Sequence, residues 1–299
     1  MLSYIPKSIP VSIIYVDDVF NIPKFKIFFH IGIYSYIEIN NNKVKVIWLR
    51  KSFKIKFLES QKDFQEIKNN SEKKFLKKEW TKIYENFSSI IKYCPEVKII
   101  GGSKYSNFTD AIKLEILYLA SSIGLDIPKT IFSNYLPTNT DTVFITKPIG
   151  EFAFLKYKNS DIFGLYTSKI RGKYLHFAPS LFQEFVQKKA DIRVFFMDNQ
   201  IFAGAIFESN KEKLDYRNYD IKNMPYWLRF KIPDEIKEKI KKLMSAIEAN
   251  FGILDFLLTN EDNLMFLEIN LGGQFGDLSY NCNYNLEKFI SNKLISFYE

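Results

Sequence analysis

The sequence predicts a mixed α/β protein of the α+β kind, and three observations predict it. Runs of β-branched and aromatic residues recur, several joined by short Asn- and Asp-rich turns. Between them lie segments whose apolar residues repeat at three- and four-residue spacing, the period of a helix buried on one face. With 299 residues, 46% of them hydrophobic and 25% charged, the chain can bury a sizeable core over two or three lobes. Aromatics make up 17%, with 29 Phe and 18 Tyr, and much of that area must be core.

In chain order, residues 11–16 and 31–39 are expected strands. Asn40-Asn41-Asn42-Lys43 is a turn and 44–49 the partner strand, closed by Trp48-Leu49-Arg50-Lys51 as a basic tip, where a solvated strand end is the simpler reading of Arg50 and contact with a ligand the alternative. Residues 59–94 set Phe64, Ile67, Phe75, Leu76, Ile83, Phe87, Ile90 and Ile91 among charges, giving one or two amphipathic helices with a Lys-rich solvent face. Pro95 and Gly101-Gly102 mark a boundary near residue 100.

Residues 110–123 form the next expected helix. Ile112, Ile116, Leu119, Ala120 and Ile123 make its stripe, Thr109 or Asp110 its cap and Gly124 its C-terminal stop. Strands follow at 131–132, at 142–146 running into Lys147-Pro148-Ile149-Gly150, and near 163–166, 174–177 and 181–186. Asp198-Asn199 turns a hairpin between 191–197 and 200–207. Residues 210–230 are polar, aromatic and basic without clear period, the pattern of a long functional loop. A helix opens at Pro233-Asp234 and is expected to run through Phe251, with Gly252 ending it. A hairpin of 254–258 and 264–269 and a helix over 286–297 close the chain.

Net charge is +8, which favours an anionic partner: a nucleotide, an acidic peptide, nucleic acid or a membrane surface. Lys is spread along the chain instead of forming one block, so a generally solvated basic surface is the simpler reading. Cys94 and Cys282 form neither a metal spacing nor a disulfide framework, and with no signal sequence visible a reducing cytoplasm is expected. His30 and His176 are far apart, which argues against a His-based zinc site or a Ser-His-Asp triad. No apolar run approaches the roughly 20 residues that span a bilayer.

The chemistry concentrates in the last hairpin. Glu268 and Asn270 share a strand face because alternate residues point the same way. If 260–263 is a four-residue loop, Thr259 pairs with Leu264 and Asp255 lies opposite Glu268. Two carboxylates facing each other repel, and a cation between them gives the arrangement a reason. Asp255, Glu268 and Asn270 are then a hard-oxygen set suited to Mg²⁺. A register slip of one residue would put Asp255 on the other face and leave an ordinary edge strand. A metal of this kind carries phosphates, and cations should accompany it. Lys113, Lys147 and Arg193 are the candidates, although Arg193 has an alternative partner in Asp191 on its own face.

Lys147-Pro148, Gln183-Glu184-Phe185-Val186, Asp191-Ile192-Arg193-Val194 and Asp255 with Glu268-Ile269-Asn270 follow one another in an order that resembles the ATP-grasp ligases. More narrowly the chain resembles the ATP-grasp peptide ligases that make ester- and amide-crosslinked peptides, the graspetide synthetases, including the microviridin type. Asp215-Tyr216-Arg217 is similar to their Asp-aromatic-Arg element. Glu268-Ile269-Asn270-Leu271-Gly272-Gly273-Gln274-Phe275-Gly276 followed by Asn281-Cys282-Asn283-Tyr284-Asn285-Leu286-Glu287-Lys288 is most similar to the grasp-with-spasm maturases. The resemblance covers the chain from about Gly101 onward and before that rests on Trp48-Leu49-Arg50. It departs at Leu271, where the family usually has Pro, and at Tyr216, where Trp is common.

The resemblance implies an ATP-grasp fold, with an N-terminal lobe over 1–100 and central and C-terminal subdomains over 101–182 and 183–299 enclosing the nucleotide. It implies ATP and Mg²⁺. Lys113 and Lys147 would contact phosphates, and Glu184, Phe185 and Val186 the adenine. Asp191 would lie near the ribose or acceptor, Arg193 at the terminal phosphate, and Arg217 at the γ-phosphate or substrate carboxylate. Asp255, Glu268 and Asn270 would ligate Mg²⁺. The partner would be a precursor peptide with a leader and an acidic core, not nucleic acid or membrane, and a homodimer is compatible with this. Another ATP-grasp ligase acting on amino acids or small peptides is the alternative. A basic nucleic-acid-binding protein is the remote one, and it leaves Asp255, Glu268 and Asn270 unexplained.

Overall fold

The computed structural model describes residues 1–13, 27–32, 34–50, 62–102, 112–135, 142–147, 149, 154–156, 162–164, 167–170, 178–207 and 225–299. Strands β1 (Ile27–His30), β2 (Tyr36–Ile39) and β3 (Asn42–Lys43) form an antiparallel sheet. The turn at Asn40 and Asn41 has φ of 51° and 65° at those two residues, the left-handed pair that a tight hairpin requires and Asn tolerates. The chain then leaves this sheet. Strand β4 (Val46–Trp48) pairs in parallel with β5 (Lys98–Ile100), across α1 (Lys62–Glu66) and α2 (Asn70–Ile90). Ile37, Ile91 and Cys94 form a small core beneath.

Helix α3 (Lys113–Ser122) ends at Gly124, whose φ of 90° suits glycine. Strands β6 (Thr130–Ser133), β7 (Phe144–Thr146), β8 (Phe154–Lys156), β9 (Ile162–Gly164), β10 (Ser168–Lys169) and β11 (Ser180–Glu184) follow. Four of them make a sheet ordered β10-β7-β11-β6, and β8 and β9 pair separately. After the 185–187 connection come β12 (Lys188–Met197), β13 (Gln200–Phe207), β14 (Tyr226–Arg229), α4 (Asp234–Ala246), β15 (Phe251–Thr259) and β16 (Leu264–Asn270). Their sheet is antiparallel, ordered β14-β13-β12-β15-β16. Helices α5 (Gly276–Asn281) and α6 (Leu286–Tyr298) finish the fold.

Both faces of the five-stranded sheet are covered, and strand alternation sorts the side chains between them. Ile192, Val194, Phe196, Leu254, Phe256 and Phe266 face one core with Ile116 and Ala120 of α3 and Ile240 and Leu243 of α4. Phe195, Met197, Phe251 and Ile253 face the other, with Ile100, Phe275, Leu278, Leu286 and Ile290, and Trp48 packs against it. Each fully buried Phe contributes about 1.5–3 kcal/mol relative to an exposed one. The second face is the one that continues to Arg193 and Asp255, so the apolar floor fixes where those charges stand.

Several sequence expectations need correcting. The strand expected over 31–39 begins only at Tyr36, and it pairs on both sides, with Ile27–His30 and, across the expected turn at Asn40-Asn41, with Asn42–Lys43. The expected partner strand over 44–49 holds to this hairpin only through Val44, whose N–H reaches the Ile37 carbonyl at 2.9 Å, because Val46–Trp48 finds a parallel partner in Lys98–Ile100. Residues 11–13 have no regular structure, and 14–16 and 174–177 lie outside the described residues. Phe75 and Leu76 are exposed although they fit the apolar stripe of α2. Helix α3 starts at Lys113, leaving Ile112 exposed at its N-cap without a side-chain cap bond. The helix expected through Phe251 stops at Ala246. Glu248 adopts φ 52°, and Phe251 and Gly252 belong to β15, with Gly252 opposite Phe196. Helix α5 was not foreseen. The long loop ends in strand β14, and its 208–224 portion lies outside the described residues.

Candidate active site

The β15–β16 hairpin reaches the expected pairing by an unexpected route. Leu258, not Thr259, pairs with Leu264, because Thr259 closes the loop by donating its N–H to the Asn263 carbonyl at 2.9 Å. That register continues through Leu257–Met265 and Phe256–Phe266. It then shifts by one, so that Leu267 is the extra residue of a β-bulge and Asp255 lies opposite Glu268. The bulge lets the buried Phe256–Phe266 pair and the polar Asp255–Glu268 pair coexist on successive rungs.

Arg193 stands opposite Asp255 on the next strand, so Arg193, Asp255 and Glu268 form a row across β12, β15 and β16. The Arg193 guanidinium lies 3.3 Å from Asp255 Oδ1. Asp191, the alternative partner, instead accepts a bond from Lys188 at 2.5 Å. Glu268 collects cations from two other elements. Lys113 Nζ at the start of α3 is 3.3 Å from its Oε2, and Lys147 Nζ beyond β7 is 3.7 Å from the same oxygen. Burial holds the Lys147 ammonium below its ordinary range; Glu268 and Asp255 act in the opposite sense, while Lys113 adds to the lowering.

Three cations therefore converge on two facing carboxylates. The donor set fits a divalent ion between Asp255 and Glu268, because such an ion would release Lys113, Lys147 and Arg193 toward phosphate oxygens. Asn270 is the third member by sequence and lies opposite Ile253. Its side-chain oxygen accepts the Gly272 N–H at 3.1 Å, and the Gly273 N–H reaches its carbonyl at 3.2 Å, so the strand ends in a tight turn. Gly273 has to be glycine, since a Cβ there would meet Ile253 Cγ1 at 2.5 Å and Ile253 Cβ at 2.7 Å.

Sequence reasoning missed what secures this turn. Arg50 donates to the Gly273 carbonyl at 2.9 Å and Arg193 to the Gln274 carbonyl at 2.8 Å. Arg50 is no solvated strand end. Its guanidinium lies 4.9 Å from the Trp48 ring centroid, 5.0 Å from Phe275 and 5.9 Å from Phe251. Burial lowers its pKa. The available signal was an arginine two residues after a strand tryptophan, with a phenylalanine waiting beyond the glycine pair.

The predicted adenine segment borders a cavity of its own. Glu184 ends β11, its N–H bonded to the Lys129 carbonyl at 2.9 Å, and the Phe185 N–H reaches Val143 at 2.7 Å. Glu184, Phe185 and Val186 line a cavity of about 280 Å³ with Asp126, Thr259, Asn263 and Met265. The hairpin loop is clasped to this connection by Asn260–Gln187 at 3.3 Å and to the start of β12 by Lys189–Asp262 at 2.6 Å. Arg217, with Asp215 and Tyr216, lies outside the described residues. Among the described residues no helix is long and apolar enough to cross a membrane.

No family model and no curated protein sequence matches this chain. Solved structures do. The macrocyclase MdnC of Microcystis aeruginosa MRC, bound with precursor peptide MdnA, is 22% identical, with a TM-score of 0.66 over 92% of this chain and 89% of that one. A RiPP-associated ATP-grasp ligase of Chryseobacterium gregarium, in complex with ADP and a leader and core peptide, gives 0.68 at 19% identity over 94% and 86%. The ATP-grasp ligase PsnB, complexed with a phosphomimetic variant of its minimal precursor, Mg and ADP, gives 0.70 at 17% over 95% and 89%. The fold of this chain is accordingly the ATP-grasp fold. Among its structural neighbours are a macrocyclase and ATP-grasp ligases solved with precursor peptides.

Proposed function

We propose that this protein is an ATP-dependent ligase that crosslinks a ribosomally made precursor peptide, joining Asp or Glu side chains to Ser or Thr hydroxyls or Lys amines. The observation that carries the reading is the Arg193–Asp255–Glu268 row with Lys113 and Lys147 gathered on Glu268. The neighbours named above, with their precursor peptides and ADP, support the choice of a peptide as substrate. Asp255, Glu268 and Asn270 would hold Mg²⁺, which when bound supplies charge neutralisation for the phosphates of ATP. Glu184, Phe185 and Val186 would hold the adenine, with Asp191 toward the ribose or acceptor.

Lys113, Lys147 and Arg193 would take up the phosphate charge. A peptide carboxylate oxygen attacks the γ-phosphorus, the bond to the β-bridging oxygen breaks, and ADP leaves. The resulting acyl phosphate is attacked at carbon by a hydroxyl or amine that gives up a proton, and phosphate departs. Arg217 would sit at the transferred phosphoryl or the substrate carboxylate. Positioning and preorganised charge supply most of the acceleration. The chain would work as three parts, 1–100, 101–182 and 183–299, in the cytoplasm, where Cys94 and Cys282, both buried and free, stay reduced.

Mass spectrometry of a precursor co-expressed with the enzyme tests this. Each bond should leave the peptide lighter by one water, with one ADP released. An unmodified precursor beside ATP-dependent ligation of free amino acids would favour the other carboxylate–amine ligase reading.

A further inference from the structure

Arg50 has no part in the function proposed above, yet it is built into the site. It comes from the N-terminal strand pair and reaches the turn that follows Asn270. That turn contains Gly272 and Gly273, which leave its backbone the widest choice of conformations. Two arginines from different parts of the chain grip consecutive carbonyls there: Arg50 holds Gly273 and Arg193 holds Gln274. The same turn orients the Asn270 amide through its bond to the Gly272 N–H.

We propose that Arg50 is a positioning residue for the metal–phosphate site, fixing the Asn270–Phe275 turn so that Asn270 presents its oxygen as a ligand. The proposal rests on the reading of Asn270 as a metal ligand. Arg193 is expected to turn to a phosphate when nucleotide binds, which frees the Gln274 carbonyl. The bond from Arg50 to Gly273 then keeps the turn in place. The guanidinium suits this position. Its guanidinium carbon lies 4.9 Å from the Trp48 ring centroid and 5.0 Å from that of Phe275, two rings 6.2 Å apart, while a guanidinium nitrogen donates to the carbonyl. A lysine ammonium lacks both the plane and the fork.

The test uses full-length protein with ADP and Mn²⁺ as probe, the bound ion being counted by electron paramagnetic resonance. Arg50→Lys should keep its circular dichroism spectrum and lose about 10-fold in Mn²⁺ affinity, the scale of losing a group that orients a ligand. Excess Mg²⁺ should restore its turnover, raising KM for the metal with kcat nearly kept. Asn270→Ala should weaken Mn²⁺ as well. Unchanged affinity in Arg50→Lys beside weakened Asn270→Ala overturns the role of Arg50 and leaves the site reading intact. Unchanged affinity in Asn270→Ala removes the site reading and this proposal with it. If Arg50→Lys does not fold, Phe275→Leu, which takes away one stacking ring, is measured in the same way and judged by the same two outcomes.

Discussion

Asp255 faces Glu268 only because Leu267 bulges out of the ladder between them. Both carboxylates thereby stand on the face whose apolar part is Ile253, Phe251 and Phe195, while Phe256 and Phe266 stay in the opposite core. Glu268→Gln keeps the shape of this arrangement and removes one charge. Peptide modification should fall at least ~100-fold, the scale of losing one charge-stabilising group, with the circular dichroism spectrum unchanged. Near-normal turnover of the purified variant would remove Glu268 from the metal set.

Lys147 offers a test through pH. Burial lowers its folded pKa below the unfolded value of 10.5, so the unfolded chain binds more protons in between. The lysine therefore costs stability at neutral pH, and the cost fades as pH rises through the folded pKa toward 10.5. Lys147→Met should lose nucleotide affinity yet melt at an equal or higher temperature than the parent at pH 7. The difference in Tm should shrink toward pH 10. A gap that widens with pH would mean that the ammonium is net stabilising where it stands.

Asp198-Asn199 and the 260–263 loop could be recognised because turn chemistry is local, and the strands around them followed from their runs of β-branched and aromatic residues. The Lys113–Glu268 and Lys147–Glu268 pairs needed the fold-level resemblance, since nothing local links a helix start, a strand end and the last hairpin. The bulge at Leu267 was not legible. The apolar run Leu264–Leu267 looks the same with the bulge or without it, and only the competition between the Phe256–Phe266 and Asp255–Glu268 rungs decides. The β4–β5 pair was missed because its partners are about fifty residues apart in sequence, and parallel pairing carries no turn signal. Arg50 was misread for the same reason: its aromatic surroundings are supplied by Phe251 and Phe275 from the far end of the chain.

Arg217 carries a prediction from the resemblance alone. Placed at the transferred phosphoryl or the peptide carboxylate, it should matter more to the reaction than to ATP affinity. Arg217→Ala should cut modification by about 10–100-fold while ADP affinity, measured calorimetrically, changes much less. A selective loss of ADP binding with chemistry intact would place it on the nucleotide side instead.

Gly273 links the turn to the core beneath it. A methyl group there would sit 2.5 Å from Ile253 Cγ1 and 2.9 Å from the Asn270 carbonyl oxygen, well inside contact distance. Ile253 is fully buried and opposite Asn270, so it cannot retreat. The turn must move, and with it the carbonyl that Arg50 holds. Gly273→Ala should therefore destabilise by about 1–3 kcal/mol, as overpacking does. Metal affinity should fall as well, because the Asn270 amide takes its orientation from this turn. Ile253→Ala removes the nearer obstruction at its own cost in burial. The two changes together should destabilise less than the sum of their separate effects in urea unfolding, the mark of residues in direct conflict. Strict additivity would show that the methyl is accommodated elsewhere and that the close approach of Gly273 to Ile253 does not set the turn.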